Sequence, residues 1–368
     1  MKQLICLSAS RWRSVPTRTQ QLVTRFKDAE VLFFEPSPSS LSRSRRKQDF
    51  KLEGRQVRPN VTVYTLPPTV HVRDNHPHWE RHNQKKLARF LLKKLAAHRM
   101  RQPLIWACSP VYAHLPDLLP HHGLVYDCDQ DWSSLPILWE SELSYNADVI
   151  FAASQGLADH LAPCNANIVL LPNGVNYPMF SRTDDADLAF PGDLVPVRNP
   201  ILGYSGTLWE DLDLEPVLHA ARLRPDWSFL FVGRVRSNPL LSELKQLPNV
   251  HLLGHKPLVE VPEYVTRFDV CLSLLRRGQE DNDVLSARIF EYLSTGRPIV
   301  SMSTLSQPEE YPDVIYYAYG QADFASKCQK ALEEPQGWHR ERRRHYGAAA
   351  AWSGRAAEVL RILEMNGF

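Results

Sequence analysis

Cysteine pairs at the short spacing of metal or redox motifs are missing from this sequence. Its six cysteines are widely scattered, with no C-x-x-C pair and no Cys/His cluster at the spacing of zinc ligands. Such clusters hold structural zinc or carry dithiol chemistry. Their absence excludes both classes of site, and it favours reduced thiols in a cytosolic protein, because disulfides persist mainly in oxidising compartments.

Long apolar runs are missing as well. No run approaches the roughly 20 residues that a membrane-spanning helix needs. The start, MKQLICLSAS, resembles a secretory leader, but Arg11 and Arg13 end the apolar run before a full leader core is reached. We interpret it as the first buried strand, and the expected location is the cytoplasm.

Glycine is absent where nucleotide-binding fingerprints need it. The residues after the first apolar segment read SASRWRSVP, so the G-x-G-x-x-G turn of nicotinamide-binding enzymes does not occur there, and the chain has no P-loop sequence. Both motifs use glycine to bring the backbone close to phosphate. A dehydrogenase and a P-loop nucleotidase are therefore disfavoured.

Short, nearly continuous apolar segments alternate with helical patterns along the chain. The segments are QLICLSAS, AEVLFFEPSPSS, PLIWACSP, GLVYDCDQD, ADVIFAAS and ANIVLLPNG in the first half, and NPILGYSG, SFLFVG, NVHLLG, DVCLSLL and RPIVSM in the second. Helical patterns cover residues 17–27, 79–100, 156–161, 214–222, 260–268 and 286–294. Continuous apolar runs are typical of parallel strands buried on both faces, so this order predicts an α/β chain with two Rossmann-like units.

The boundary between the two units is expected near Asn176, where a segment rich in Pro, Gly and Asp begins. We predict a first domain over residues 1–175, a second over 176–345 and a C-terminal helix over 346–368. Basic residues outnumber acidic ones in the first half, and the balance reverses in the second. This asymmetry indicates that the halves meet different partners.

The most specific motif is DVLSARIFEYLSTGRPIV at residues 283–300. It combines an acidic residue, seven further residues, a glutamate, and an apolar helix that ends at a glycine before a strand. Together with ILGYSGTLWEDLDL, RPDWSFLFVG, NVHLLGHKPLVEVPEYVTRFDVCLS and AWSGRAAEVLRIL, in that order, it resembles the GT-B glycosyltransferases. The similarity is to the group 1 enzymes of bacterial surface polysaccharide synthesis, including the teichuronic-acid type, and it covers nearly the whole chain.

This resemblance implies two Rossmann-like domains that face each other across a cleft, with the C-terminal helix returning to the first domain. It also implies a hexosyltransferase-like enzyme that moves a sugar from a nucleotide-sugar donor to a saccharide or lipid-linked acceptor. The nucleotide sugar is then a substrate, and no cofactor is expected. Two alternatives stay open: a sugar-nucleotide-binding protein without turnover, and a GT-B nucleotide-sugar epimerase.

The donor site is expected in the second domain. By the resemblance, Glu291 accepts hydrogen bonds from the ribose hydroxyls, for which a carboxylate is well suited. Arg288 lies one helical turn earlier, on the same face, and is predicted to contact the pyrophosphate. Asp283 takes the first acidic position of the motif, where its shorter side chain weakens the contact to the donor sugar that a glutamate would make.

Two loops complete the predicted donor site. Gly206 and Thr207 follow the strand pattern ILGYS, where glycine lets the backbone approach a phosphate. Arg234 follows the strand SFLFVG, at the strand end where open α/β sheets bind ligands. Tight turns and surface arginines occur in the same places without a ligand, so these residues are candidates only.

The acceptor side is expected in the first domain, where GLVYDCDQDW places three carboxylates just after a buried strand. Neighbouring carboxylates raise one another's pKa, as a general base requires. Asp127 is the first candidate for catalysis and Asp131 the second, against the alternative of a solvated, capping loop. The D-C-D sequence imitates the metal motif of the GT-A fold, but a second Rossmann-like unit argues against that fold, so no metal is predicted.

Residues 79–101 alternate Lys and Arg with apolar residues at helical spacing. This pattern predicts a basic amphipathic helix, and with RSRRK at 43–47 it suggests peripheral contact with the inner membrane surface. The alternative is a helix packed on the core with a solvated face. No nucleic-acid-binding module accompanies these charges, and the histidines at 71, 76, 78 and 82 lack metal-ligand spacing.

Overall fold

The computed structural model describes residues 2–13, 15–37, 53–69, 77–183, 185, 188–210, 212–275, 284–303, 309–335 and 337–368. The chain divides into two compact units. The first is Met1–Pro172 together with Ser353–Phe368, and the second is Asn173–Trp352. All six cysteines are free. None of the described helices combines the length and the apolar composition of a bilayer-spanning segment.

The first unit is built on an eight-stranded sheet. Its strands are β1 (Gln3–Leu7), β2 (Glu30–Glu35), β3 (Arg55–Arg58), β4 (Val61–Thr65), β5 (Leu104–Ala107), β6 (Gly123–Cys128), β7 (Val149–Ala152) and β8 (Ile168–Leu170). They lie in the order β3-β4-β2-β1-β5-β6-β7-β8, and every neighbouring pair is parallel except β3 with β4. β5, β6 and β7 bury every side chain, which explains their continuous apolar sequences.

The helices of the first unit are α1 (Arg18–Val23), α2 (Pro77–Ala97), α3 (Ile137–Asn146) and α4 (Gln155–Leu161). Short 3-10 turns occur at Pro110–Tyr112 and Pro116–Leu118. α1 begins at Thr17, whose hydroxyl accepts from the backbone N–H of Gln20 while the Gln20 side chain accepts from the Thr17 N–H. This capping box satisfies two N–H groups at the helix start and fixes where α1 leaves the sheet.

The second unit is built on a six-stranded parallel sheet. Its strands are β9 (Ile201–Ser205), β10 (Ser228–Val232), β11 (Val250–Gly254), β12 (Val270–Ser273), β13 (Ile299–Met302) and β14 (Ile315–Ala318). Its helices are α5 (Tyr177–Phe180), α6 (Glu215–Leu223), α7 (Leu241–Leu244), α8 (Val261–Val265), α9 (Ala287–Thr295), α10 (Gln321–Leu332) and α11 (Trp338–Ala349), with a 3-10 turn at Gly192–Leu194.

The strands of this sheet lie in the order β11-β10-β9-β12-β13-β14. The chain adds β10 and β11 on one side of β9 and then β12, β13 and β14 on the other, so the strand order reverses between β9 and β12 while all strands stay parallel. Ligands of open α/β sheets bind at the carboxyl ends of the strands beside such a reversal. The motif at residues 283–300 supplies α9 and β13 next to this point. Gly296 ends α9 in a left-handed conformation with φ of 75°, as a glycine at that position favours.

The chain passes between the units twice, and the two passages lie side by side. The Val175 N–H donates to the Ala350 carbonyl at 2.9 Å, and the Trp352 N–H donates to the Val175 carbonyl at 3.0 Å. The last helix, α12 (Trp352–Met365), then continues into the first unit. There the Asn167 side chain donates to the Asn366 side chain at 2.9 Å, which matches the return of this helix that the resemblance implied.

Candidate functional site

The carboxyl edge of the second sheet brings two glycine loops into backbone contact. Gly206 follows β9 with φ of 148°, and Gly233 follows β10 with φ of 152°. A Cβ atom on Gly233 would lie 1.9 Å from the Gly206 carbonyl oxygen. Only glycine at position 233 allows this approach, because a side chain there would collide with the Gly206 backbone, and the positive φ at both positions is strained for any other residue.

Arg288 lies directly against the first of these loops. It is the second residue of α9, and a Cβ atom on Gly206 would fall 2.1 Å from its Nη2. Its guanidinium stacks over the Tyr204 ring, 4.5 Å from the centroid. The ring holds the cation at the edge of the sheet, beside the Gly206 backbone.

Glu291 lies one turn after Arg288 on the same helix and is half-buried. Burial raises the pKa of its carboxyl group to about 7, and the neighbouring Arg288 guanidinium opposes that rise. A partly desolvated carboxylate beside a cation gains most from a ligand that donates hydrogen bonds to it.

Tyr292 fixes the helix that carries both residues. It is fully buried, and its hydroxyl oxygen accepts from the Ser205 backbone N–H at 2.9 Å. This bond ties α9 to the last residue of β9, so the positions of Arg288 and Glu291 relative to the glycine loop are set by a buried contact.

Thr207 and Arg234 lie on the two loops just beyond the glycines. The Leu208 N–H donates to the Arg234 carbonyl at 2.8 Å, which holds the loops together. Arg234 itself is exposed. The structure thus brings together five of the predicted donor residues: Gly206, Thr207, Arg234, Arg288 and Glu291. Asp283 lies outside the described residues.

In the first unit, Asp127 lies at the end of β6 and is almost fully buried. Its Oδ1 accepts from Arg18 Nε at 3.0 Å, and its Oδ2 accepts from Trp106 Nε1 at 3.3 Å. Arg18, on α1, is equally buried and also donates to the Leu171 carbonyl at 2.6 Å. A carboxylate held this way has its oxygens occupied by structural partners, which favours a structural role.

The two other carboxylates of this loop differ sharply from each other. Asp131 is exposed and accepts from the Ser133 N–H at 2.7 Å, as a turn-capping residue does. Asp129 is half-buried, and burial, followed by the charge of Asp127, raises its pKa to about 6. By environment, Asp129 is the carboxylate of the three best suited to accept a proton near neutral pH.

Known proteins support one interpretation of this architecture. Residues 214–361, which contain Arg288 and Glu291, match the glycosyl transferase-like family model. The putative teichuronic acid biosynthesis glycosyltransferase TuaH of Bacillus subtilis is 27% identical over 284 residues, 70% of each chain. The chain is a GT-B glycosyltransferase.

Solved structures show the same fold over the full length of this glycosyltransferase. A sucrose-phosphate synthase of Thermosynechococcus elongatus gives a TM-score of 0.72 at 15% identity and 99% coverage of both chains. The E. coli trehalose-6-phosphate structure bound with UDP-2-fluoro glucose gives 0.73 at 11% identity, covering 98% of this chain and 99% of the other. The Anabaena protein HepE, in complex with UDP and glucose, gives 0.68 at 13% identity and 99% coverage of both.

Sequence reasoning missed three residues of the glycosyltransferase that shape these sites. Tyr204 stacks on Arg288, and Tyr292 fixes α9 to β9. In the sequence, each looks like an ordinary apolar residue of its strand or helix. Arg18, the partner of Asp127, lies 109 positions away from it. No local pattern connects such distant residues. The one signal in the sequence is the run of three carboxylates at the end of β6, because a carboxylate that is buried there needs a counter-charge.

Proposed function

We propose that this glycosyltransferase binds a nucleoside diphosphate sugar at the carboxyl edge of the second sheet and transfers its sugar to a hydroxyl of a saccharide or lipid-linked acceptor. The observation that carries the donor assignment is the contact of Arg288 with Gly206, with Glu291 on the next turn of α9. The guanidinium and the loop N–H groups meet the pyrophosphate, and the carboxylate accepts from the ribose diol. Synthesis of a bacterial surface polysaccharide is proposed as the setting, by likeness to TuaH.

The chemistry proposed for the transfer needs a base and a stabilised leaving group. The acceptor hydroxyl oxygen attacks the anomeric carbon, its proton passes to a carboxylate, and the nucleoside diphosphate departs. Asp129 is the proposed proton acceptor, in place of Asp127 and Asp131, since Asp127 is paired with Arg18 and Asp131 caps a turn. Arg288 meets the negative charge that develops on the leaving phosphate. No divalent cation is assigned a role.

Glu291→Gln should weaken nucleotide binding about tenfold or more, because an amide in place of a carboxylate loses one charge-assisted hydrogen bond. The measurement is calorimetric titration with UDP, GDP, dTDP, ADP and CDP in EDTA, which also tests binding without metal. In the wild type, affinity for the preferred nucleotide should fall as the pH drops through about 7, because the Glu291 carboxylate becomes protonated and no longer accepts both hydrogen bonds of the ribose.

In Glu291→Gln the part of this pH dependence that comes from the carboxylate should be missing. The part that comes from protonation of the nucleotide itself should remain. Glu341→Gln is the matched control, an exposed glutamate on α11 of the same unit. Equal affinity of wild type and Glu291→Gln for every nucleotide would contradict the donor assignment.

Asp129→Asn should reduce the rate of sugar transfer about 100-fold or more and leave nucleotide affinity unchanged, since general base catalysis contributes roughly 10²–10⁴-fold. The wild-type rate should decline as the pH falls through about 6, because protonation removes the base. Arg18 and Asp127 face Asp129 and are left intact in this variant. Transfer that stays fast in Asp129→Asn, with an unaltered pH profile, would remove Asp129 from the mechanism.

Peripheral contact with the inner membrane surface is proposed for the first unit. α2 buries Leu87, Leu91 and Leu95. Arg81, Lys85, Arg89 and Lys93 are exposed at intervals of four residues, and they therefore form one basic stripe along the helix. The Gln84 side chain donates to the Val111 carbonyl and ties α2 to the turn Pro110–Tyr112, which contacts α3.

At the start of α3, Ile137 and Leu138 are 69% and 68% exposed. Basic side chains attract anionic lipid, and exposed apolar side chains enter the interface.

Lys85→Glu/Arg89→Glu should lower the affinity for phosphatidylglycerol vesicles by roughly 30-fold or more, since each basic residue near the surface contributes about 1 kcal/mol. The measurement is co-sedimentation, with phosphatidylcholine vesicles as the neutral lipid. Lys245→Glu/Lys330→Glu, two exposed lysines of the second unit, is the matched control. Sedimentation of the α2 variant equal to that of wild type would contradict membrane contact through this stripe.

A further inference from the structure

Beyond the glycine contact, the loops after β9 and β10 form a fixed rim. Leu208 and Val235 form a parallel bridge, in which the Leu208 N–H donates to the Arg234 carbonyl and the Arg236 N–H donates to the Leu208 carbonyl, both at 2.8 Å. The Asn238 side chain donates to the Trp209 carbonyl at 2.8 Å. Three bonds between two short loops hold this backbone in place without help from a ligand.

The register of the bridge determines which side chains share a face. Leu208 is buried, so its neighbour Trp209 points to the opposite side. The two backbone bonds of Leu208 go to Arg234 and Arg236, the residues on either side of Val235, and side chains alternate along an extended segment, so both arginines lie on the face opposite to Val235 and Leu208. The rim therefore combines an aromatic ring with two guanidinium groups next to the proposed donor site.

These side chains are available to a ligand. Trp209 is 41% exposed, and Arg234 and Arg236 are both exposed. Within the described residues, neither guanidinium has an ion pair with a carboxylate. Glu210, the next residue along the loop, is also exposed and is the nearest carboxylate in sequence.

We propose that Trp209, Arg234 and Arg236 form a subsite for the anionic sugar portion of a substrate, which deepens the proposed function and rests on it. The apolar face of a pyranose ring packs on the indole, and the guanidinium groups take a carboxylate or phosphate attached to that ring through paired N–H donors. Glu210 accepts from hydroxyls of the same sugar. The anion comes from one of two sources: a uronic acid on the donor, or a sugar phosphate on the acceptor.

Calorimetry with UDP, UDP-glucose and UDP-glucuronate tests the donor source, and glucose 1-phosphate added to the UDP-loaded protein tests the acceptor source. Wild type should bind one anionic probe at least tenfold more tightly than its neutral counterpart, UDP-glucose or glucose. Trp209→Ala and Arg236→Met should each remove about tenfold of that preference and leave UDP affinity within about twofold. Trp338→Ala and Arg198→Met, exposed residues elsewhere in the second unit, are the matched controls.

Wild type without preference for either anionic probe, or variants that keep the full preference, would overturn the subsite. Failure of wild type to bind UDP or another nucleotide is a different result and contradicts the donor site itself. Glucose 1-phosphate and glucuronate would then be titrated without nucleotide, because the rim is held by its own backbone bonds, and absence of binding there would overturn the subsite too.

Discussion

Arg18→Met is expected to lower the free energy of unfolding of the first unit by roughly 3–5 kcal/mol, because it leaves a buried carboxylate without its counter-charge. The Arg18 and Asp127 side chains are only 3% and 1% exposed. The arginine also donates to the Leu171 carbonyl, so the substitution frees a second buried acceptor close to where the chain leaves the first unit. Urea unfolding followed by circular dichroism measures the change.

The double variant Arg18→Met/Asp127→Leu separates a missing charge from missing packing. Replacing both members of a buried pair by apolar residues is often neutral, so the double variant should recover much of the loss. Asp127→Asn should be destabilised as well, and its transfer rate, measured where it is folded, should exceed that of Asp129→Asn. An Asp127→Asn protein of normal stability and no activity would reverse the two roles and restore Asp127 as the base.

The architecture could be predicted from the sequence because parallel strands that are buried on both faces have a local signal, a short continuous run of apolar residues. β1, β5, β7 and β12 are short continuous apolar runs, and the structure places each inside a parallel sheet. β3 and β4 were missed. β3 (RQVR) is the edge strand and is mostly exposed, and β4 (VTVYT), which lies between β3 and β2, interrupts its apolar residues with threonines. A strand with one exposed side has no continuous apolar run to reveal it.

The donor residues could be predicted in part for a similar reason. Arg288 and Glu291 are three residues apart on one helix, so their shared face follows from helical spacing alone. Their approach to Gly206 depends on strand order, with β9 beside β12, which no local pattern gives. On the acceptor side, which of three carboxylates is paired depends on Arg18, brought in from a distant helix.

Gly206→Ala should abolish most nucleotide binding with a modest loss of stability. The added methyl group would fall 2.1 Å from Arg288 Nη2, and a flexible side chain yields to such contact by moving away. Displacing the cation removes its charge-assisted bonds to phosphate, a loss of roughly 10- to 100-fold in affinity. The φ of 148° adds a backbone cost of about 1–3 kcal/mol. Calorimetry and thermal unfolding on the same samples measure both effects.

Two other glycines make this prediction specific. Gly254→Ala carries a comparable backbone penalty at φ of 71° with open space around its Cβ, so it should lose stability and keep nucleotide affinity. Gly233→Ala forces a methyl group to 1.9 Å from the Gly206 carbonyl oxygen, which cannot move without shifting β9, so it should lose both. If Gly254→Ala and Gly206→Ala weakened binding equally, backbone strain and not the position of Arg288 would control the donor site.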